Sequence, residues 1–278
     1  MSYTFIPNQM YRMPTHFGPA TGPRQGPDGR TFECKNNPKT TEVAVSFLTN
    51  AAQLEPLLPP GLSLAREPVV TVGATYMTEI EWLAGRGYNT LGVSFPATFW
   101  GEQETATGSF LTVLWENLTD PIITGREELG FAKIYCELPE PTVLRGEWHA
   151  TASWLGFRFL DIHAENLVQQ TAAEIQALVL AATGDGTLHY KYMPRTGQWG
   201  TADVAYACLT PAATPNRVVK ERWVGTGSVQ FHLAQWEDMP TQYNIVNTFA
   251  GLEILEYRGA SVTKSAGGKD LSDQRILR

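Results

Sequence analysis

The sequence predicts an α+β protein dominated by antiparallel strands, closed into a barrel or cone with a few flanking helices. Three observations predict it. From residue 39 onward the apolar runs are short and alternate in polarity, as in TEVAVSFL at 41–48, which is the period of a strand with one buried face. Turn formers are frequent, with 25 Gly and 18 Pro, and they divide the chain into strand-sized pieces. Only a few stretches carry helical start and stop signals. With no internal repeat and no linker inside 39–262, the chain divides into a Pro/Gly-rich N-terminal arm (1–38), one domain (39–264) and a polar C-terminal tail (265–278).

In the arm, Met13-Pro14, Gly18-Pro19, Gly22-Pro23 and Gly26-Pro27 oppose regular structure. Tyr11 and Phe17 leave two readings open, a disordered leader or an arm docked on the body or a neighbouring subunit. A strand at 41–48 is followed by a short helix at 49–54, stopped by Pro59-Pro60-Gly61. Strands are expected at 68–80, 90–100, 109–116 and 131–138, then a β-ribbon over 143–164. Thr171 and Glu174 form a capping box, and Ile175, Leu178, Val179 and Ala182 recur at helical spacing up to Gly184. Strands at 188–193, 203–210 and 218–233 precede a second helix, capped by Thr241 and ending at Gly251. A last strand is expected at 252–257, with a frayed tail after Lys264.

Composition narrows the function. Apolar residues make up 43% and charged residues 18%, enough to build a sizeable core. The net charge of -7 offers no footprint for nucleic acid. No apolar run is long enough to span a bilayer, and the N-terminal segment lacks the pattern of a secretion signal. The three cysteines, Cys34, Cys136 and Cys208, are widely spaced and form no CxxC, which suits a reducing, cytoplasmic setting. Walker, GxGxxG and GxSxG patterns are absent. The five histidines are scattered along the chain without metal-ligand spacing, so neither metal nor cofactor is expected.

The segment Gly125-Arg126-Glu127-Glu128-Leu129-Gly130-Phe131-Ala132-Lys133-Ile134-Tyr135-Cys136 carries the chemistry. Strand alternation sets Phe131, Lys133 and Tyr135 on one face. A lysine held among aromatic rings loses hydration, which disfavours its ammonium and leaves neutral amine to attack a carbonyl. The bland alternative is a lysine that snorkels to solvent from a strand edge.

Gly125-Arg126-Glu127 followed by Lys133 resembles the acetoacetate decarboxylase superfamily. So do Leu54 through Leu62, Glu67-Pro68-Val69-Val70, Tyr88 through Phe99, Tyr192-Met193-Pro194 and Gly225 through Phe231. The resemblance spans roughly 40–260 and implies the barrel fold and a Schiff base on Lys133. Arg126 and Glu127 are then an ion pair bracing the loop, or Arg126 binds a substrate carboxylate. Tyr88, Thr90, Phe99 and Leu129 are the implied pocket lining. The sequence departs from the family where Ala132 replaces proline, where Ile134 replaces a second lysine, and where Gly73 and Thr90 fall at the positions of two pocket glutamates. The implied function is a lyase for a small or medium oxo acid or ketone. It acts by β-keto acid decarboxylation or by 2-oxo acid aldol condensation with dehydration, as a homo-oligomer. A non-catalytic small-molecule binder on the same fold is the alternative, and a lipocalin-like carrier fits the helix at 171–183 less well.

Overall fold

The computed structural model describes residues 4–181 and 184–278. Its strands are β1 (Lys39–Leu48), β2 (Leu62–Leu64), β3 (Val69–Thr78), β4 (Tyr88–Trp100), β5 (Thr105–Glu116), β6 (Lys133–Tyr135) and β7 (Thr142–Leu144), followed by β8 (Glu147–Trp154), β9 (Phe157–Gln169), β10 (Gly186–Pro194), β11 (Ala202–Pro211), β12 (Val218–Phe231), β13 (Glu256–Ala266) and β14 (Arg275–Ile276). The helices are α1 (Ala51–Leu54), α2 (Thr119–Thr124), α3 (Ala172–Ala181) and α4 (Tyr243–Ala250).

All strands join one sheet in the order β14-β11-β10-β5-β4-β3-β1-β13-β12-β9-β8-β7, with β2 on β4 and β6 on β5. The pairings are antiparallel except β10 and β6, which each run parallel to β5. Among the described residues nothing pairs β14 with β7, so the sheet is open, which corrects the expected closed barrel. The terminal strands are only two and three residues long. They leave few backbone groups unpaired, which removes much of the need for closure.

The alternation that predicts the strands also builds the core. Val43, Val45 and Phe47 on β1 lie beside Val70, Val72 and Ala74 on β3 and Leu91, Val93 and Phe95 on β4, all buried. The capping box forms: the Thr171 amide donates to Glu174 Oε2 at 2.7 Å, and the Glu174 amide donates to Thr171 Oγ1 at 3.3 Å. Leu178 and Val179 on α3 are exposed, and Ala182 lies outside the described residues.

Other boundaries move. The last long strand is β13, later than 252–257, because 252–255 is spent leaving α4. Gln242, not Thr241, occupies the cap position of α4. The tail is tied down rather than frayed, since β14 pairs with β11 and Leu277 is buried. The arm lies against the body through Arg12 and Arg24, both bonded to Glu128.

Candidate active site

Lys133 owes its position to a reversal between β5 and β6. Thr119-Asp120-Pro121 opens α2, with proline in the first turn, where its missing N–H costs nothing. The helix widens into a π-helical turn over Gly125–Leu129 and stops at Gly130, whose φ of 82° suits glycine. The chain then returns parallel to β5, setting Lys133 against Leu114 and Tyr135 against Glu116. This helix is absent from the sequence expectation. Of the strand expected over 131–138, only Lys133–Tyr135 forms.

Gly125 has a different role from Gly130. Its φ of -69° is ordinary helix, but a Cβ there would lie 2.3 Å from Lys133 Cε and 2.6 Å from Nζ. The lysine therefore runs across the bare backbone of Gly125. Phe131 and Lys133 are buried while Tyr135 is exposed, so the expected shared face breaks at Tyr135.

The Lys133 ammonium position is dry. Nζ lies 2.8 Å from Glu116 Oε1, donates to the Pro121 carbonyl at 3.1 Å and sits 5.6 Å from the centre of the Phe131 ring. The Glu116 side chain is 1% exposed, and neither of its oxygens has a well-directed hydrogen bond. Burial lowers the Lys133 pKa, opposed by Glu116 and assisted by the Arg24 cation. Burial also raises the Glu116 pKa, opposed by Lys133. Both shifts favour a neutral pair, reached by one proton moving from nitrogen to oxygen. Glu116 is the residue that sequence reasoning missed; its signal was a carboxylate ending the apolar run FLTVLWE.

A cavity of ≈ 230 Å³ opens on Lys133. Tyr88 and Leu129 line it, and Met77, Ile80 and Trp82 add an apolar wall. Burial raises the Tyr88 pKa, with Glu116 adding to the rise, so its hydroxyl stays protonated. The arm closes another side with Pro23, Arg24 and Phe32, and the tail contributes Lys269 and Asp270.

The remaining implied site residues lie outside this lining. Arg126 donates to the Lys133 carbonyl at 2.8 Å, bracing the lysine from behind. Among the described residues it forms no ion pair with Glu127, whose carbonyl instead accepts from Lys191 Nζ at 2.6 Å. Thr90 sits in β4 opposite Glu116. Phe99 is buried at the far end of that strand, beside Gly61. Gly73 lies between Ala44 and Gly92 in the sheet. The carboxylate beside the amine thus comes from β5 rather than from positions 73 or 90.

A family model described as acetoacetate decarboxylase (ADC) matches residues 12–264. No curated relative matches the chain. Among solved structures, acetoacetate decarboxylase from Legionella pneumophila subsp. pneumophila str. Philadelphia 1 is 18% identical, with a TM-score of 0.64 over 91% of this chain and 92% of that one. An acetoacetate decarboxylase-like enzyme from Sphingomonas wittichii RW1 is 20% identical, with a TM-score of 0.61 over 87% and 92%. The enduracididine biosynthesis enzyme MppR, complexed with the condensation product of pyruvate and imidazole 4-carboxaldehyde, is 15% identical, with a TM-score of 0.56 over 92% and 97%. At these identities the structures share the fold.

Proposed function

The chain belongs to the acetoacetate decarboxylase family, and from that premise we propose that it is a lyase that captures a small or medium oxo acid as a Schiff base on Lys133. The observation that carries this reading is a lysine amine buried at the wall of a mostly apolar cavity, 2.8 Å from a buried carboxyl. The neutral amine attacks the substrate carbonyl carbon, a C–N bond forms, and the carbonyl oxygen leaves as water. Glu116 takes the proton from nitrogen and returns one to the departing oxygen. Tyr88 is a protonated hydroxyl on the same wall.

The iminium then has two outlets. With a β-keto acid, the bond to the carboxylate breaks, carbon dioxide leaves, and the electron pair enters the iminium to give an enamine. Protonation at carbon and hydrolysis release the ketone and restore the amine. With a 2-oxo acid, loss of a proton gives the enamine, which attacks an aldehyde; water is then eliminated, and hydrolysis of the C–N bond releases the product and restores the amine. MppR, complexed with such a condensation product, supports the second outlet as an analogue.

Borohydride trapping with acetoacetate, pyruvate and longer oxo acids tests the reading. The expected result is a mass increment on the peptide carrying Lys133, absent in Lys133→Ala, with product analysis separating carbon dioxide release from condensation. No increment across the panel, with ligand binding equal in wild type and Lys133→Ala, would make the chain a non-catalytic binder.

A further inference from the structure

Three of the chain's five histidines, separated by up to 83 positions in sequence, meet on one face of the sheet. His149 on β8 is directly opposite His163 on β9, and their rings stack at 4.2 Å and 9°. Asp161 lies two residues before His163 on the same face. Its Oδ1 is 2.6 Å from His149 Nε2, and its Oδ2 is 2.6 Å from His232 Nε2. Donor atoms of His149, Asp161 and His163 all fall within 4.8 Å of one another.

We propose that His149, Asp161 and His163 form a binding site for a divalent transition-metal ion, with zinc the best match, and that His232 orients the carboxylate. Two imidazoles and one carboxylate are a borderline donor set suited to zinc, with water as the fourth ligand. The ion takes the place of the proton between His149 Nε2 and Asp161 Oδ1. Tetrahedral zinc, with bonds of about 2.0–2.1 Å, sets its donors about 3.4 Å apart, so the 2.6 Å His149–Asp161 pair opens while the His163 ring turns to meet the ion. His163 is exposed and has room to turn. Holding the second carboxylate oxygen by His232 is the outer arrangement that fixes metal ligands. Arg158 is the opposing charge, with Nη1 3.4 Å from Asp161 Oδ1; its side chain is 58% exposed, so it can swing into solvent when the ion arrives. Bound metal would cross-link β8 to β9 and stabilise the folded chain.

The site is independent of Lys133, so its test needs no turnover. Chelator-stripped protein is titrated with zinc chloride by calorimetry. Saturable binding of one ion per chain is expected, weakened at least about tenfold in His163→Ala and in His149→Ala, since loss of even an outer partner costs that much. His16→Ala, on the arm, leaves the isotherm unchanged. His163→Ala removes an exposed side chain and opens no core, so it remains readable if His149→Ala folds poorly. No saturable binding, or binding of equal strength and stoichiometry in His163→Ala, overturns the proposal.

Discussion

Glu116 and Asp161 are both paired carboxylates, yet their proton affinities move in opposite directions. At Glu116 burial wins over the Lys133 cation and the pKa rises. At Asp161 burial also pushes upward, but hydrogen bonds from His232 and His149 outweigh it and the pKa falls. The side chains differ in exposure, 1% against 12%, and in the number of well-directed donors. A carboxylate with two good donors near the surface has its proton affinity lowered, whereas one with a single poorly aligned partner in a dry wall has it raised. The first arrangement suits a cation and the second suits a neutral amine.

The largest test of burial as the deciding influence uses His189, which among the described residues has no carboxylate partner. It is fully buried, stacks on Phe131, donates from Nδ1 to the Gly130 carbonyl at 3.1 Å, and at Nε2 accepts from the Gln274 amide at 2.5 Å, with Thr210 Oγ1 at 3.3 Å. Burial pushes its pKa down to about 4 from 6.5. Between those values the unfolded chain binds the extra proton, so stability falls as pH drops from about 6.5 to about 4, by about 3 kcal/mol. Urea melts across that range should show the slope, and His189→Gln should flatten it. An unchanged slope would mean that burial is not setting the sign.

Gly125→Ala sharpens the geometric side. Alanine suits the backbone there, so its effect comes from pushing Lys133 aside. Trapping should slow about 100-fold, the order expected for a reactive group displaced by about 1 Å, while the melting temperature changes little. Equal loss of trapping and of fold would assign Gly125 to packing alone.

Asp161→Asn should cost about 2 kcal/mol at neutral pH, the scale of hydrogen bonds to a charged group. Because the folded pKa is depressed, that stability is present above the ordinary aspartate value and lost as pH falls through the folded one. Urea midpoints of wild type and variant should therefore converge in strong acid and separate near neutrality. A separation that does not change with pH would remove the Asp161 charge from the account.

The parts legible in sequence were those governed by local periodicity. Alternation at 41–48 and the Thr171–Glu174 box depend on neighbours within one element, and both form. The burial of Lys133 was legible through Phe131, although Tyr135 turns outward. Glu116 was not legible, because its contact with Lys133 depends on the parallel register of β5 and β6 across a helical reversal. Arg24 reaches the cavity from the arm, held there by Glu128 and by the Asp270 carbonyl. The open sheet was equally hidden, since closure depends on how the two ends of the strand order meet and not on any single strand. His149, His163 and His232 look scattered along the chain and converge only through the β8-β9-β12 pairings.

The smallest expected effects belong to the neighbours of Lys133, and they provide the most direct measurement. Lys133 reactivity toward acetic anhydride, followed against pH by peptide mass spectrometry, reports its neutral fraction. The half-point should lie below the ordinary lysine value of about 10.4, fall further in Glu116→Gln, which removes the carboxyl that opposes the effect of burial, and rise slightly in Arg24→Met, which removes a cation that lowers it. A half-point at or above the ordinary value, unmoved by Glu116→Gln, would contradict the claim that burial strips this amine of its charge.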